Sequence, residues 1–366
     1  MRLATALRAV DVRVHVIAPG APGVPATDDF DGVTVDRFRY APRRYENLAY
    51  TGTMAQDVAT SWSARLALVG FFGAEFVRSL SAARSFEPDL IHAHWWFPSG
   101  VVATQLTPLS QKPLVTTLHG TDVRLAKSIG MSRLLFRHVM RRSSRVTTVS
   151  SWLASEVTKL VPVTSPTVAP MPVATEVFHP GSLSRSGRIL FAGRLNRQKG
   201  LDHLIRALPL MRTPAALDVV GEGPSGTELR ALAAELGANE RIEWHGQLDR
   251  DALVGFYRTA SVVVVPSTDE GLGLVAAEAQ LCETPVIAFR SGGLTDVVQN
   301  HKTGVLVEPG DTAALASALD RVLAFPDEAA ALGRAGRTFA LSTFSPESAA
   351  RQYKNIYEEA LGERAT

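Results

Sequence analysis

The sequence has one cysteine, Cys282, in 366 residues. A single thiol cannot close an internal disulfide, so a disulfide-stapled fold is excluded and a reducing compartment, most simply a cytoplasm, is expected. Net charge is also scarce. Lys plus Arg is 38 and Asp plus Glu is 36, a formal +2. That argues against a basic protein built to hold nucleic acid. There is no long apolar run free of charge. The most apolar stretch, 62–80, contains Arg65, Glu75 and Arg78. Burying such groups at a bilayer centre costs roughly 2.5–3.5 kcal/mol each. The stretch is therefore read as an amphipathic core helix rather than a membrane span, with a helix lying on a membrane surface as the rival. The opening residues 1–8 are too short an apolar segment for a secretory signal, and Arg8 and Asp11 interrupt it. No internal repeat or low-complexity tract stands out.

What is present is ordinary globular material, 46% apolar and 20% charged. At roughly 100–200 residues per domain the length suggests two domains. The small total charge hides a polarised chain. Residues 1–172 hold 19 Lys/Arg against 12 Asp/Glu, a net +7, and residues 173–366 hold 19 against 24, a net −5.

Short apolar runs at 12–18, 33–38, 89–91, 114–117 and 146–149 read as strands. A second set falls at 188–192, 217–220, 242–244, 261–265, 286–288 and 305–307. Amphipathic segments at 131–142, 152–160, 201–210, 228–236, 252–258 and 274–282 lie among them. Strand, helix, strand predicts parallel sheets with crossover helices. The strands are nearly all apolar, as when helices cover both faces. The pattern pauses where Pro162, Pro166, Pro170, Pro172 and Pro180 cluster. The expectation is thus a first domain over 1–172, a linker over 173–187, a second domain over 188–344 and a final helix over 345–366 that packs back on the first domain.

The segment Glu270-Gly271-Leu272-Gly273-Leu274-Val275-Ala276-Ala277-Glu278 follows an apolar strand and opens a helix. Ligands of open parallel sheets bind outside the carboxyl ends of strands, and helix N-termini there offer free N–H groups to anions. Gly271 and Gly273 let the backbone come close to a ligand. Glu270 and Glu278 suit sugar and ribose hydroxyls as acceptors. A glycine turn beside a solvated glutamate is the plainer alternative.

These residues resemble the retaining nucleotide-sugar glycosyltransferases of family 4, which have the GT-B fold. The family's E-x7-E motif matches Glu270 and Glu278. Arg194 and Lys199, in Ala192-Gly193-Arg194-Leu195-Asn196-Arg197-Gln198-Lys199-Gly200, match its diphosphate-holding pair. Val220 to Pro224, Ala288 to Gly293, Gly304 to Pro309, His92-Ala93-His94, His119-Gly120-Thr121-Asp122 and Val149-Ser150 also match. The resemblance implies two doubly wound, Rossmann-like domains facing across a cleft. It implies transfer of a sugar from a nucleoside diphosphate to an acceptor hydroxyl, in polysaccharide or glycolipid assembly. Arg194 and Lys199 would neutralise the leaving diphosphate, helped by N–H groups around Gly273, Leu274 and Val275. Glu278 would bind the ribose and Glu270 the sugar. His119 would contact the sugar near its reacting carbon, with Asp122 and His94 as positioning or acceptor residues. No metal or other cofactor is expected.

Arg133, Arg137 and Arg141 repeat every four residues, and no acid occurs between Asp122 and Glu156. Like charges at that spacing cost a helix roughly 0.2–0.5 kcal/mol per pair. The stripe is read as a solvated arginine face or as a contact for an anionic membrane or lipid-diphosphate acceptor, which would add a peripheral contact with the inner face of the cell membrane. Other patterns carry plainer readings. Gly221-x-Gly223-x-x-Gly226 with Glu243 mimics a dinucleotide fingerprint and keeps an NAD-type oxidoreductase as a third choice. Asp249 reads as a helix cap, Asp29 as a loop residue, and His92-x-His94 lacks a third metal ligand. The loops 45–53 and 95–100 are positional candidates for acceptor choice. The resembled family opens with a strand and a Gly-rich loop, whereas 2–10 here reads as a helix tail and 12–18 as the second strand. An upstream extension of roughly 20 residues is expected from the usual lengths of such elements. The rival is a truncated or non-catalytic nucleotide-sugar or anionic-surface binding protein.

Overall fold

The structure, a computed structural model, describes residues 1–50, 54–128 and 130–362. It divides into two compact units. The first comprises Met1–Thr148, Ala154–Ala169 and the C-terminal segment from Ala349; the second comprises Val149–Leu153 and Pro170–Ser348. The segment 173–187 lies within the second unit, and most of the helix Pro346–Gly362 belongs to the first.

In the first unit, β1 (His15–Pro19) runs parallel to β3 (Val33–Phe38), and β2 (Thr27–Phe30) pairs antiparallel with β3. Asp29 therefore sits in a strand and not in a loop. Its Oδ1 accepts the Gly32 N–H at 2.7 Å and closes the β2–β3 turn. A separate parallel sheet has the order β4 (Ile91–His94), β5 (Leu114–Leu118), β6 (Arg145–Thr148), β7 (Thr167–Val168). Among the described residues β1 and β4 do not pair, so the strands of this unit form two sheets rather than one.

The long helix Trp62–Phe86 lies on the first sheet with Ala64, Ala67, Phe71 and Glu75 buried. Phe71 meets Phe38 edge-on at 4.9 Å and Tyr40 at 5.1 Å. Gly70 permits this close seat: a Cβ there would stand 2.2 Å from the Tyr40 carbonyl oxygen. One face is thus a core face, as expected. The opposite face is not polar. It exposes Trp62, Leu66, Val69 and Val77. By length and composition the helix could cross a membrane, yet its packed face ties it to the first unit.

The second unit contains six parallel strands: β8 (Ile189–Ala192), β9 (Leu217–Val220), β10 (Ile242–Gly246), β11 (Val262–Val265), β12 (Val286–Phe289) and β13 (Val305–Val307). Their spatial order is β10-β9-β8-β11-β12-β13. Apolar side chains such as Phe191, Leu204, Leu217, Val264, Phe289 and Leu319 form the core. The chain leaves β8 toward one edge, then returns to lay β11 on the other side of β8. Strand order reverses between these two strands, which opens a crevice outside their carboxyl ends.

Candidate active site

Both loops that leave the switch point carry polar residues named by the sequence. The turn after β8 is shaped by Asn196, whose Oδ1 accepts the Lys199 N–H at 3.0 Å. The turn after β11 is stitched to it. Thr268 donates its N–H to the Gln198 carbonyl at 2.9 Å, and Gln198 Nε2 donates to the Asp269 carbonyl at 3.1 Å. Gly200 makes the approach possible, with φ +65° and a hypothetical Cβ only 2.1 Å from the Pro266 oxygen. Lys199 Nζ consequently reaches Glu270 Oε2 at 2.6 Å. Both side chains are largely shielded, at 23% and 17% exposure, so the pair is stronger than a surface bridge. Arg194 is exposed, and its guanidinium makes no hydrogen bond or ion pair among the described residues.

Gly273, with φ +95°, turns the chain into the helix Leu274–Leu281. Leu274 and Val275 open that helix, so their N–H groups lack partners within it. Glu278 lies one turn further, held by the Tyr257 hydroxyl, which donates to Oε2 at 3.0 Å. Tyr257 comes from the helix Arg250–Thr259, capped by Asp249 through the Ala252 N–H at 2.8 Å. Periodicity marks Tyr257 as a core residue; its hydroxyl partner is a tertiary fact without a local signal.

A third segment supports the Glu270 loop from beneath. Gly293 donates its N–H to the Glu270 carbonyl at 2.8 Å, and Ser291 Oγ accepts from Asp269 N–H at 3.1 Å. A Cβ on Gly293 would stand 2.4 Å from the Gly271 oxygen. Gly293→Ala is therefore expected to displace Glu270 without touching a ligand. A misplacement of about 1 Å costs on the order of 100-fold in kcat/KM. Steady-state kinetics beside a melting curve check this; wild-type kinetics would remove the supporting role.

In the first unit, His92 and His94 alternate on β4 and point to one side. His94 Nδ1 and His119 Nε2 lie 3.0 Å apart and share one proton. His119 Nδ1 has no hydrogen-bond partner among the described residues. His92 is tied to the C-terminal helix: Nδ1 meets the Tyr357 hydroxyl at 2.8 Å and Nε2 meets Thr117 Oγ1 at 2.7 Å. Burial lowers the His94 imidazole to about 4 and the His119 imidazole to about 3. Both rings are neutral at physiological pH, so each offers a hydrogen-bonding nitrogen without a positive charge. Asp122 fixes the His119 backbone, its Oδ1 accepting the N–H groups of His119, Gly120 and Val123 at 3.1, 2.9 and 3.0 Å. Trp95, at φ +65°, sets its ring 5.0 Å from that of His119. Of the loop 45–53, residues 51–53 lie outside the described residues.

Arg133, Arg137 and Arg141 lie on the helix Gly130–Arg142 and form no ion pair among the described residues. Leu134, Arg137, His138, Arg141 and Arg142 line a shallow hollow there. The glycines of the dinucleotide-like turn serve packing: a Cβ on Gly223 would meet Leu195 backbone at 2.3 Å. Among the described residues the one group of three potential metal ligands is Asp218, Glu243 and His245. Arg188 already closes Asp218 with two bonds of 2.6 Å, so a guanidinium holds the place of a cation. That site does not fit a metal.

Two α/β units, one of them carrying cations and carboxylates at the switch point of a parallel sheet, define the GT-B class of glycosyltransferases. Residues 1–177 match the family model Glycosyltransferase Family 4, and residues 175–339 match Glycosyl transferases group 1. The chain belongs to this family of glycosyltransferases. It is 35% identical over 314 residues to the D-inositol 3-phosphate glycosyltransferase of Acidothermus cellulolyticus, covering 76% of this chain and 68% of the relative. It is 29% identical to the 2-deoxystreptamine glucosyltransferase of Streptomyces kanamyceticus, covering 99% and 98%. Sucrose-phosphate synthase from Thermosynechococcus elongatus has a similar solved structure, with a TM-score of 0.79, 26% identity and coverage of 99% and 92%.

Proposed function

We propose that the second unit holds a nucleoside-diphosphate sugar at the β8–β11 switch point and that the enzyme transfers its sugar with retention. The Lys199–Glu270 pair carries this reading, because it sets a cation and a hydroxyl acceptor side by side at a crevice suited to phosphates. Arg194, Lys199 and the N–H groups at Gly273, Leu274 and Val275 face the diphosphate in place of a metal ion. Glu270 accepts from sugar hydroxyls and Glu278 from the ribose. His119, neutral and oriented by His94 and Asp122, hydrogen-bonds the sugar near the reacting carbon. The acceptor is a saccharide or a lipid-linked molecule used in polysaccharide or glycolipid assembly, at the cytoplasmic face of the membrane. Arg133, Arg137 and Arg141 meet its anionic group. Nucleic acid has no place in this reading.

A thermal-shift screen of the full chain with UDP-, GDP- and ADP-sugars tests it. A donor at 100 times its Kd adds about 2.7 kcal/mol of stability. Glu278→Ala is expected to abolish most of that shift. No shift with any donor would overturn the reading.

A further inference from the structure

Large apolar side chains on the surface are concentrated on three helices of the first unit. On Trp62–Phe86, Trp62, Leu66, Val69 and Val77 are 76%, 69%, 72% and 66% exposed. Their spacing places them along one helix face, about 23 Å long at 1.5 Å per residue. The helix Val101–Ser110 packs against both this helix and Gly130–Arg142. It exposes Leu109, and Gly130–Arg142 exposes Met131 and Leu134. Folded soluble chains seldom leave so extended an apolar face uncovered unless something binds it.

Charge identifies the partner. The three helices hold seven arginines and one acidic residue, Glu75, which is turned inward and buried; Arg78 is paired with Asp36 of β3 at 2.7 Å, which leaves six arginines for the outward faces. Burial pushes the Glu75 carboxyl up to about 7. Arg65 stacks over Trp62 at 5.0 Å, a pairing of ring and cation that suits the boundary between acyl chains and headgroups. The hollow at Arg137 and Arg141 adds a concave basic surface. A second copy of the chain would set arginines against arginines, whereas a negatively charged sheet of lipid matches both the apolar stripe and its basic flanks.

We propose that the first unit docks on an anionic lipid bilayer through the outward faces of the helices Trp62–Phe86, Val101–Ser110 and Gly130–Arg142. Trp62, Leu66, Val69 and Val77 enter the acyl boundary, and Arg133, Arg137 and Arg141 lie among the phosphates. This goes beyond the donor reading and is measured without any donor.

The test is co-sedimentation of the full chain with vesicles of phosphatidylcholine alone and of an equimolar phosphatidylcholine–phosphatidylglycerol mixture. Wild type is expected to bind the anionic vesicles and not the neutral ones. Arg133/Arg137/Arg141→Glu is expected to weaken binding by about two orders of magnitude, about fivefold per arginine. Leu66→Glu/Val69→Glu is expected to remove it. Leu66 and Val69 are exposed, so circular dichroism melts of that variant should match wild type, and Val77→Glu serves if the double variant misfolds. Failure of wild type to bind anionic vesicles overturns the proposal, as does undiminished binding by the apolar-face variants. A dimer-to-monomer change in Leu66→Glu/Val69→Glu with vesicle binding intact assigns the face to a second copy and also overturns it. Leu66→Glu/Val69→Glu should keep the donor-induced thermal shift, so loss of docking is separable from loss of donor binding.

Discussion

Lys199→Ala is expected to lower kcat/KM for sugar transfer by about two to three orders of magnitude, the usual effect of removing one preorganised group that stabilises a developing charge. The bond that breaks leaves its electron pair on the diphosphate, so negative charge grows there as the sugar departs. A cation fixed before reaction meets that charge without reorganising. In this structure Lys199 is fixed twice: by the Asn196-capped turn below it and by Glu270 at 2.6 Å. The loss should fall mainly on kcat, because the charge is largest in the transition state. Glu270→Ala should produce a comparable loss by a different route. It frees the lysine chain and removes the acceptor for sugar hydroxyls. The two positions touch, so the double variant is expected to lose less than the product of the single losses. Strict additivity would show that the pair does not work as a unit. Unaffected turnover in either single variant would remove its assignment. Neither change cuts into the core, so the melting temperature should fall by only a few degrees, at about 2–4 °C per kcal/mol.

The all-apolar strands were legible because both faces are covered. Val262–Val265 is four consecutive valines, all buried. The glycines and carboxylates of Glu270–Glu278 were legible because a strand, a turn and a helix start follow in order. Contacts between distant segments were not. Lys199 and Glu270 are 71 residues apart, and His92 and Tyr357 are 265 apart. No spacing rule reaches across such distances. β2 is Thr-Asp-Asp-Phe, too polar to read as a strand, and it exists because β3 offers it an edge. Arg185 sits in a Ser/Arg stretch that reads as a linker. It donates to the carbonyls of Tyr257, Arg258, Ala260, Cys282 and Glu283 and so ties together the ends of two helices. The apolar outer face of Trp62–Phe86 was hidden for a related reason. Hydrophobic residues on every side of a helix read as burial, and only the packing shows which side lacks a protein neighbour.

Asp122→Ala is expected to destabilise the protein by about 3 kcal/mol or more, because each buried N–H left without a partner costs about 1–3 kcal/mol. Three such groups converge on Asp122 Oδ1, whereas the bond from the Trp96 indole goes to the Asp122 backbone carbonyl and survives the substitution. The same substitution releases the His119 turn, so transfer should fall with stability. Asp122→Asn separates shape from charge. It keeps an oxygen at Oδ1 for the three N–H groups and cannot ionise. Burial raises the Asp122 carboxyl from 3.8 to about 6. Between those values the native carboxyl holds its proton while the unfolded one has lost it, so the native state binds more protons. Stability from this group is therefore complete below about pH 4 and is lost as pH rises through about 6. A shift of that size corresponds to on the order of 3 kcal/mol. The Asn variant escapes this loss. Relative to wild type it should gain stability between pH 4 and pH 7.5, measured by denaturant unfolding at each pH. The buried histidines and Glu75 titrate in both proteins and cancel in the difference. A stability gap that stays constant across this range would mean that the carboxyl is not held protonated by burial. An unchanged melting temperature in Asp122→Ala would mean that the three N–H groups find other partners and that His119 is positioned without Asp122.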